Sequence, residues 1–376
     1  MKLCMKLIWS TEDFKPAGFP IEGFPILLEA SGEINPVVHS FLVEELLQSA
    51  RRPSKATWAN YAFALSRFFT FLEESSRSWN ERPAPGVPSV VADFRNYLLS
   101  ASLKRSSINA NLDVIARFFQ HSLERGEIAQ LPFAMRESRR RDVGTHSKRS
   151  TRPSVPRPDV KLRASKHIPK ILSASEVIAF LRGFKNETLR LMARLQVETG
   201  LRVEELTSFP SAYVVDPDSV SGRSSFVVVR LSPADMATKG DVERTIHVPR
   251  SLMHSLWLYV LTQRQTRSLG SSAALFLTQR GQPYKTRSVW KLYRENNGLP
   301  GKDVNPHLLR HTYATHTLVA LTKHINAGNA LLYVRDRLGH ASINTTEIYL
   351  HYVDDLTISV AARYQSEISQ LISEVK

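Results

Sequence analysis

The sequence predicts a mainly α-helical protein with a small antiparallel β-sheet. Apolar residues recur with helical spacing in several long segments, most clearly in Lys55–Glu74, where aromatic and aliphatic side chains form one stripe. Two shorter segments, Phe226–Leu231 and Thr245–Val248, have the pattern of strands, and a polar turn joins them. These observations indicate a helical-bundle domain followed by an α+β domain, and a chain of 376 residues can hold a sizeable core in each.

The N-terminal segment, residues 1–37, is predicted to form an irregular arm. It contains four prolines and three glycines, which interrupt helices and strands. The apolar side chains between Phe14 and Leu28 indicate that this arm packs on another part of the protein, which the sequence does not identify.

Residues 38–138 are predicted to form the helical domain. The four predicted helices are Pro36–Gln48, Lys55–Glu74, Val90–Leu99 and Ser106–Arg125. Four amphipathic helices of this length suit a small bundle, and we assign their aromatic residues to its core. The candidates for phosphate contacts in this domain are basic: Lys55, Arg67, Lys104 and Arg105.

Residues 139–170 form a basic linker in this interpretation. They contain eleven Lys and Arg against two Asp, a surplus of nine in a chain whose net charge is +15. Three prolines between Pro153 and Pro158 exclude a long helix. The bias in sign favours a polyanionic partner, and the candidate DNA-binding residues are Arg139, Arg140, Arg141, Lys148 and Arg149. A disordered spacer that its charge keeps in solution is the alternative.

Residues 171–376 are predicted to form the α+β domain. Ser173 and Glu176 have the spacing of a capping box, Asn186–Glu198 is a helix that Gly200 ends, and Arg202 lies where the next helix begins. Lys239 lies in the turn between the two strands. Further helices are predicted for Pro249–Gln263 and Ser288–Asn297, and an amphipathic helix with apolar residues from Ala361 to Val375 ends the chain.

A cluster of polar motifs in this domain predicts chemistry at phosphate groups. The segment NPHLLRHTYATHTL places His307 and Arg310 about one helical turn apart, and LGHASINTTEIYLHY places Tyr349 nine residues after His340. A guanidinium matches two phosphate oxygens, an imidazole exchanges protons near neutral pH, and a phenol can form a covalent intermediate. No Gly-rich phosphate loop for ATP occurs in the sequence.

These motifs resemble the active site of the tyrosine recombinases, the phage integrase family. TGLRVEEL, HLLRHTYATH and LGHASINTTEIYLH are three separate matches in the right order, over roughly Ser173 to Tyr352. The resemblance implies that the helical domain is a core-binding domain, which clamps one side of a DNA duplex. It also implies a catalytic set, which comprises Arg202, Lys239, His307, Arg310, His340 and Tyr349.

The resemblance further implies a reaction. The two arginines stabilise the scissile phosphate, and Tyr349 forms a 3′-phosphotyrosine with His307 as the base. Lys239 protonates the leaving 5′-oxygen, and His340 donates a hydrogen bond to the phosphate. No cofactor or metal is expected. The expected partners are double-stranded DNA at a specific site and further copies of the chain, which form a tetramer on two paired sites. Accessory DNA-bending proteins are a further candidate. Integration or excision of a mobile element is the expected role.

The expected compartment is the cytoplasm. A single cysteine, Cys4, cannot form an internal disulfide, and no apolar run reaches the length of a membrane span. A ribosomal or membrane-surface protein could be equally basic, so the isoelectric point of about 10.0 alone does not identify the partner.

Several alternatives stay open at this point. A type IB topoisomerase would use the same residues, and a regulator with an inactive site would only bind DNA. Tyr352 is a rival for the nucleophile, while Glu205 is expected to be a buried orienting residue. His311 and His316 are expected either to be structural or to contact and support the catalytic residues. The stretch near Lys323–Asn329 makes the segment between Arg310 and His340 longer than in the compact family pattern. This insertion is interpreted either as a surface elaboration or as a contact between copies of the chain. The C-terminal helix is expected to pack on its own domain or on a neighbouring copy.

Overall fold

The computed structural model describes residues 5–48, 53–82, 84–137, 156–163, 169–222, 224–267, 272–296, 298–340 and 345–350. The chain divides into two compact units, Met1–Lys166 and His167–Lys376. Both units are mainly helical with short antiparallel strand pairs, which confirms the predicted fold class. Among the described residues, no helix is both long and apolar enough to cross a membrane.

The first unit is built on four helices whose positions match the prediction. They are α1 (Pro36–Leu46), α2 (Lys55–Ser75), α3 (Val90–Ser100) and α4 (Arg105–Glu124). Asn35, Ser54 and Ser89 each accept a hydrogen bond from a backbone N–H of the first turn, so these side chains fix where α1, α2 and α3 begin. The predicted aromatic stripe is the core of the unit, and the four candidate phosphate contacts of this unit are exposed.

The prediction of an irregular N-terminal segment was wrong in part, because this segment contains two short paired strands. Strands β1 (Lys6–Trp9) and β2 (Pro25–Leu28) pair antiparallel, with Leu7 opposite Leu27. Phe24 and Leu27 are buried in the same core as α1 and α2. The prolines did not prevent pairing because Pro25 lies at the end of its strand, where a missing N–H costs least.

Part of the predicted basic linker also belongs to the first unit. Strand β3 (Met135–Glu137) pairs with β4 (Pro156–Pro158), and Val160 enters the core. Asn109 on α4 exchanges hydrogen bonds of 2.9 Å with the backbone of Leu162 in both directions. Residues 156–163 are therefore packed rather than a free spacer. The five candidate DNA-binding residues, from Arg139 to Arg149, lie outside the described residues.

The second unit consists mainly of helices, and one antiparallel strand pair packs beside them. Its helices are α5 (Ala174–Gly183), α6 (Glu187–Thr199), α7 (Val203–Ser208), α8 (Arg250–Tyr259), α9 (Gln265–Arg267), α10 (Thr286–Glu295), α11 (Pro306–Thr322) and α12 (Ala327–Leu338). A π-helical turn, Val260–Arg264, joins α8 to α9. The strands β5 (Phe226–Leu231) and β6 (Arg244–Pro249) pair antiparallel, as predicted.

The helix ends of this unit follow the sequence signals. Ser173 and Glu176 form the predicted capping box at the start of α5. Gly200 ends α6 in the left-handed conformation, with φ at 69°, and Gly339 ends α12 in the same way. A short exposed connection joins the end of α11, at Thr322, to the start of α12, at Ala327. The stretch at 323–329 therefore lies on the surface, at the junction of these two helices.

Candidate active site

Arg202 is fixed by its place at the start of α7. Its backbone N–H donates to Glu205 Oε2 at 2.7 Å, and its Nη1 donates to Glu205 Oε1 at 2.9 Å. Its Nη2 donates to the carbonyl oxygen of Gly339 at 3.0 Å. The guanidinium therefore bridges the start of α7 and the end of α12, although the two lie far apart in the sequence.

Glu205 is fully buried, and a second arginine shares its carboxylate. Arg244, at the start of β6, donates from Nη1 to Oε1 at 2.6 Å and from Nη2 to Oε2. Burial alone would raise the pKa of Glu205, but the hydrogen bonds and charge of Arg244 and the charge of Arg202 outweigh it and lower that pKa. Glu205 is thus an ionised anchor between two arginines, which agrees with the expected orienting role.

Arg244 is a residue of the site that the sequence analysis missed. The sequence carries one signal, because Arg244 has the same two-residue period as Ile246 and Val248, and the structure buries all three on one face of β6. A cation at the inward position of a strand requires a buried anion. The carboxylate three residues after Arg202 was the nearest candidate.

Arg310, on α11, is the most buried of the predicted catalytic cations, with 5% of its surface exposed. Its Nη1 donates to the Gly200 carbonyl at 2.6 Å, and its Nη2 donates to the Leu338 carbonyl at 2.7 Å. Burial and the charge of Arg202 lower its pKa to about 9. The group stays a cation at neutral pH, because this pKa still lies well above 7.

Three arginines meet at the C-terminal end of α12. Arg244 Nε donates to the carbonyl of Arg337 at 3.0 Å, so that residues 337, 338 and 339 each give one carbonyl to a different arginine. The last carbonyls of a helix have no partner within the helix and carry its negative dipole end. The arginines satisfy these groups, and they fix the backbone that precedes His340.

His340 is half-buried, and its Nδ1 lies 2.9 Å from Thr346 Oγ1. Burial and the charges of Arg310 and Arg202 lower the pKa of His340 to about 3. The imidazole is therefore neutral at pH 7. If the Thr346 hydroxyl donates to Nδ1, the proton lies on Nε2, where it can be donated to an anion.

Tyr349 is the predicted nucleophile, and its side chain is buried, with 1% exposed. It packs on apolar residues of α11 and α12, which include Ala314, Leu318 and Val334. Its hydroxyl lies 2.7 Å from His311 Nδ1. Burial raises the pKa of Tyr349 to about 12, and the charge of Arg310 partly opposes this effect. The resting phenol is protonated at neutral pH.

His311 was expected either to be structural or to support the catalytic residues, and the structure favours the second alternative because its Nδ1 contacts the Tyr349 hydroxyl. The overlooked signal was its position, because His311 lies four residues after His307 and therefore on the same face of α11. His316, by contrast, has the expected structural role, since its Nε2 lies 2.8 Å from the carbonyl of Leu172.

His307 lies at the start of α11 with its ring edge-on to Trp290, the ring centroids 5.4 Å apart. Burial is the largest cause that lowers its pKa, and the charges of Arg310 and Lys239 act in the same direction. His307 and His311 both line a groove of about 800 Å³, together with Lys170, Leu172, Lys302 and Ile348. The groove is a candidate entry to the site within the second unit.

Lys239 lies, as predicted, in the turn between β5 and β6, and it is exposed. The positive charge of Lys239 contributes to the lowered pKa of His307. The structure therefore brings five of the six predicted residues into one network of charges and hydrogen bonds, with Lys239 at its exposed edge. Tyr352, the rival phenol, lies outside the described residues. Within the described part of the chain, no three His, Cys, Asp or Glu side chains are grouped as a metal site requires.

Comparison with known proteins gives a consistent result. The model of the phage integrase family matches residues 164–355. The tyrosine recombinase XerD of Corynebacterium glutamicum is 31% identical over 80% of this chain and 89% of its own length. The tyrosine recombinase XerC of Chlorobaculum parvum is 29% identical over 81% and 87%.

Two solved structures share the fold. The XerH site-specific recombinase bound to its palindromic difH substrate, after cleavage, has a TM-score of 0.55 and 18% identity, over 87% of this chain and 85% of that one. A lambda integrase tetramer bound to a Holliday junction has a TM-score of 0.50 and 17% identity, over 83% and 76%. With the family match over half of the chain, these findings establish that the protein is a DNA strand transferase of the phage integrase family, a tyrosine recombinase that acts in site-specific recombination.

Proposed function

We propose that this recombinase cuts and rejoins DNA through a 3′-phosphotyrosine ester at Tyr349. The observation that carries the proposal is the environment of that phenol. It is buried beside Arg310, whose charge favours the tyrosinate, and its hydroxyl has a hydrogen-bond partner in His311. A nucleophile, a base within reach and a fixed cation are the groups that covalent phosphoryl transfer requires.

Arg202 and Arg310 bind the non-bridging oxygens of the scissile phosphate in this proposal. A guanidinium has five N–H donors. In each of these arginines, the two terminal nitrogens use one hydrogen bond each toward the protein. We assign the remaining donors to the phosphate, and the bonds to Glu205 and to the carbonyls of residues 200, 338 and 339 hold the two guanidinium groups in place. His340, which is neutral at pH 7, adds a further hydrogen bond to the phosphate in this proposal if Thr346 donates to its Nδ1 and the proton lies on Nε2.

The bond changes follow from these positions. The Tyr349 oxygen attacks phosphorus while its proton passes to a histidine of α11, the bond between phosphorus and the 5′-oxygen breaks, and Lys239 protonates the leaving 5′-oxygen. The ester conserves the energy of the phosphodiester, so a 5′-hydroxyl from a second duplex reseals the strand without ATP. Four copies on two paired sites would carry out this exchange, and the solved tetramer of lambda integrase on a Holliday junction supports that arrangement.

A suicide substrate tests the proposal. The DNA site is first selected from a random duplex library with the Tyr349→Phe protein, which we expect to bind normally. The selected duplex is then nicked beside the cleavage position, so that a short fragment diffuses away and the ester accumulates. The wild type should form a covalent adduct that maps to Tyr349 by mass spectrometry, Tyr352→Phe should form it as well, and Tyr349→Phe should not.

The same assay separates the alternatives. DNA binding without an adduct in the wild type would identify a regulator with an inactive site. An adduct together with relaxation of supercoiled plasmid, but without exchange between two duplexes, would identify topoisomerase-like activity. Integration or excision of a mobile element is the role we propose in the cell, and sequencing of joints formed between the selected site and genomic DNA would test it.

A further inference from the structure

The second histidine of α11, His311, is placed to act on the nucleophile directly. Its Nδ1 lies 2.7 Å from the hydroxyl oxygen of Tyr349, and the ring centroids lie 5.7 Å apart. A general base must lie within about 2.6–3.2 Å of the atom whose proton it takes. His311 satisfies this condition in the resting protein, before any substrate is bound.

His307, the histidine of the recognised motif, lies differently. Its ring packs edge-on against Trp290, and it makes no hydrogen bond to Tyr349 among the described residues. His307 and His311 are separated by one helical turn and face the same groove. One histidine is thus available to the phosphate at the groove, while the other is bonded to the phenol.

The phenol needs a base in this site. Burial raises the pKa of Tyr349 to about 12, so the fraction of tyrosinate at neutral pH is very small without a proton acceptor. The charge of Arg310 favours the tyrosinate but does not take the proton. An imidazole at hydrogen-bond distance can accept the phenolic proton. The imidazolium that results also stabilises the tyrosinate by its positive charge.

We propose that His311 is a catalytic residue that takes the phenolic proton from Tyr349. The inference rests on the proposed function, since it assigns a partner to the same nucleophile. As the bond between the Tyr349 oxygen and phosphorus forms, the proton moves to His311 Nδ1. Lys239 supplies a separate proton to the 5′-oxygen as the bond from that oxygen to phosphorus breaks. In resealing, the 5′-hydroxyl returns its proton to Lys239, and His311 returns its own to Tyr349.

This proposal makes a structural demand on the imidazole. His311 Nδ1 must be unprotonated in the resting state, so that it accepts the hydrogen bond, and the proton must lie on Nε2. Nitrogen-15 NMR of the folded wild-type protein, labelled at histidine, reports this tautomer, and Tyr349→Phe identifies the His311 signal by its shift. A proton found on Nδ1 would overturn the proposal, because His311 would then donate to the phenol.

The kinetic test uses the selected duplex with the nick described above. His311→Gln and His311→Ala should bind it with unchanged affinity but form the adduct about 100-fold or more slowly, the lower end of what a general base contributes. His324→Gln is the matched control, because His324 lies on the surface after α11. It should react at the wild-type rate. Thermal unfolding of each variant reports whether it is folded.

A more acidic phenol separates proton transfer from positioning. A fluorinated tyrosine at position 349 ionises more readily and depends less on a base. It should restore most of the lost rate in the His311 variants and have little effect on a variant that is slow for another reason, such as Lys239→Ala. Wild-type rates in His311→Gln and His311→Ala, or slow rates that fluorination does not restore, would overturn the assignment. If the wild type itself forms no adduct, the proposed function fails, which is a separate result.

Discussion

Replacement of Arg244 by methionine should destabilise the second unit strongly. Arg244 supplies two of the four hydrogen bonds that the carboxylate of Glu205 accepts, and Arg202 supplies the others. Methionine fills most of the space of the arginine stem but leaves Glu205, which is fully buried, with half of its partners. The carbonyl of Arg337 loses its donor at the same time.

The expected cost is about 3–5 kcal/mol, the range for removing one partner from a buried ion pair. An independent count agrees, because two hydrogen bonds between charged groups contribute roughly 1.5–3 kcal/mol each. For a domain of about 150–250 residues, this corresponds to a fall of ~6–20 °C in the unfolding temperature. The loss should be smaller in Arg244→Met/Glu205→Gln, because the double variant no longer buries a carboxylate that has lost two of its four hydrogen bonds.

Calorimetric unfolding of the full chain measures both effects. The matched control is Arg230→Met, which removes an arginine from the neighbouring strand. Arg230 pairs with Glu243 on the surface, where such a pair contributes about 0–1 kcal/mol. The reasoning would be refuted if Arg244→Met cost no more than Arg230→Met, or if the double variant were less stable than the single one.

Three further results are expected. Gly200→Ala should lower the free energy of unfolding, measured with denaturant, by at least about 1–2 kcal/mol. The reason is that φ is 69° at this position and a Cβ atom would lie 2.4 Å from the ring of Tyr313. An unchanged stability would contradict this close contact between Gly200 and Tyr313. The free energy of unfolding should fall as the pH drops from about 7 to 4. In the unfolded protein His340 has a pKa near 6.5, whereas in the folded protein its pKa is about 3, so the unfolded state binds a proton that the folded state does not. His340→Asn should flatten that slope, and an unchanged slope would assign it to other groups. Neutralising the arginines at 139–141 should weaken DNA binding and reduce the dependence of log K on log salt, whereas an unchanged slope would make that segment a spacer.

Most of the fold could be predicted because local signals agreed with one another. The stripe of Lys55–Glu74, the capping box at Ser173 and the helix-ending Gly200 each depend on interactions within a few residues. The N-terminal hairpin could not be predicted, because β1 and β2 are stabilised by burial of Phe24 and Leu27 against helices that come later in the chain. The number of prolines describes only the segment itself. It does not show that later helices provide a core on which the two strands pack.

The candidate site shows the same division. The motifs and the family resemblance predicted the five residues that the structure brings together, which are Arg202, His307, Arg310, His340 and Tyr349. Arg244 and the contact of His311 with the phenol were missed, because both depend on distances between elements. The carbonyls at 337–339 could not be recognised at all, since a backbone oxygen has no signature in a sequence.

Those carbonyls also determine when the site forms during synthesis of the chain. The hydrogen bonds that the three arginines make to them span 137, 28 and 93 residues of sequence, and the bond from Arg310 to Gly200 spans 110. The arginines emerge from the ribosome first, and the carbonyls of residues 337–339 emerge later, shortly before Tyr349. Contacts of such long range form late in folding. We therefore expect a nascent chain that stops before residue 337 to hold all three arginines without the carbonyls that position them, so that the site forms only after this part of α12 has been made.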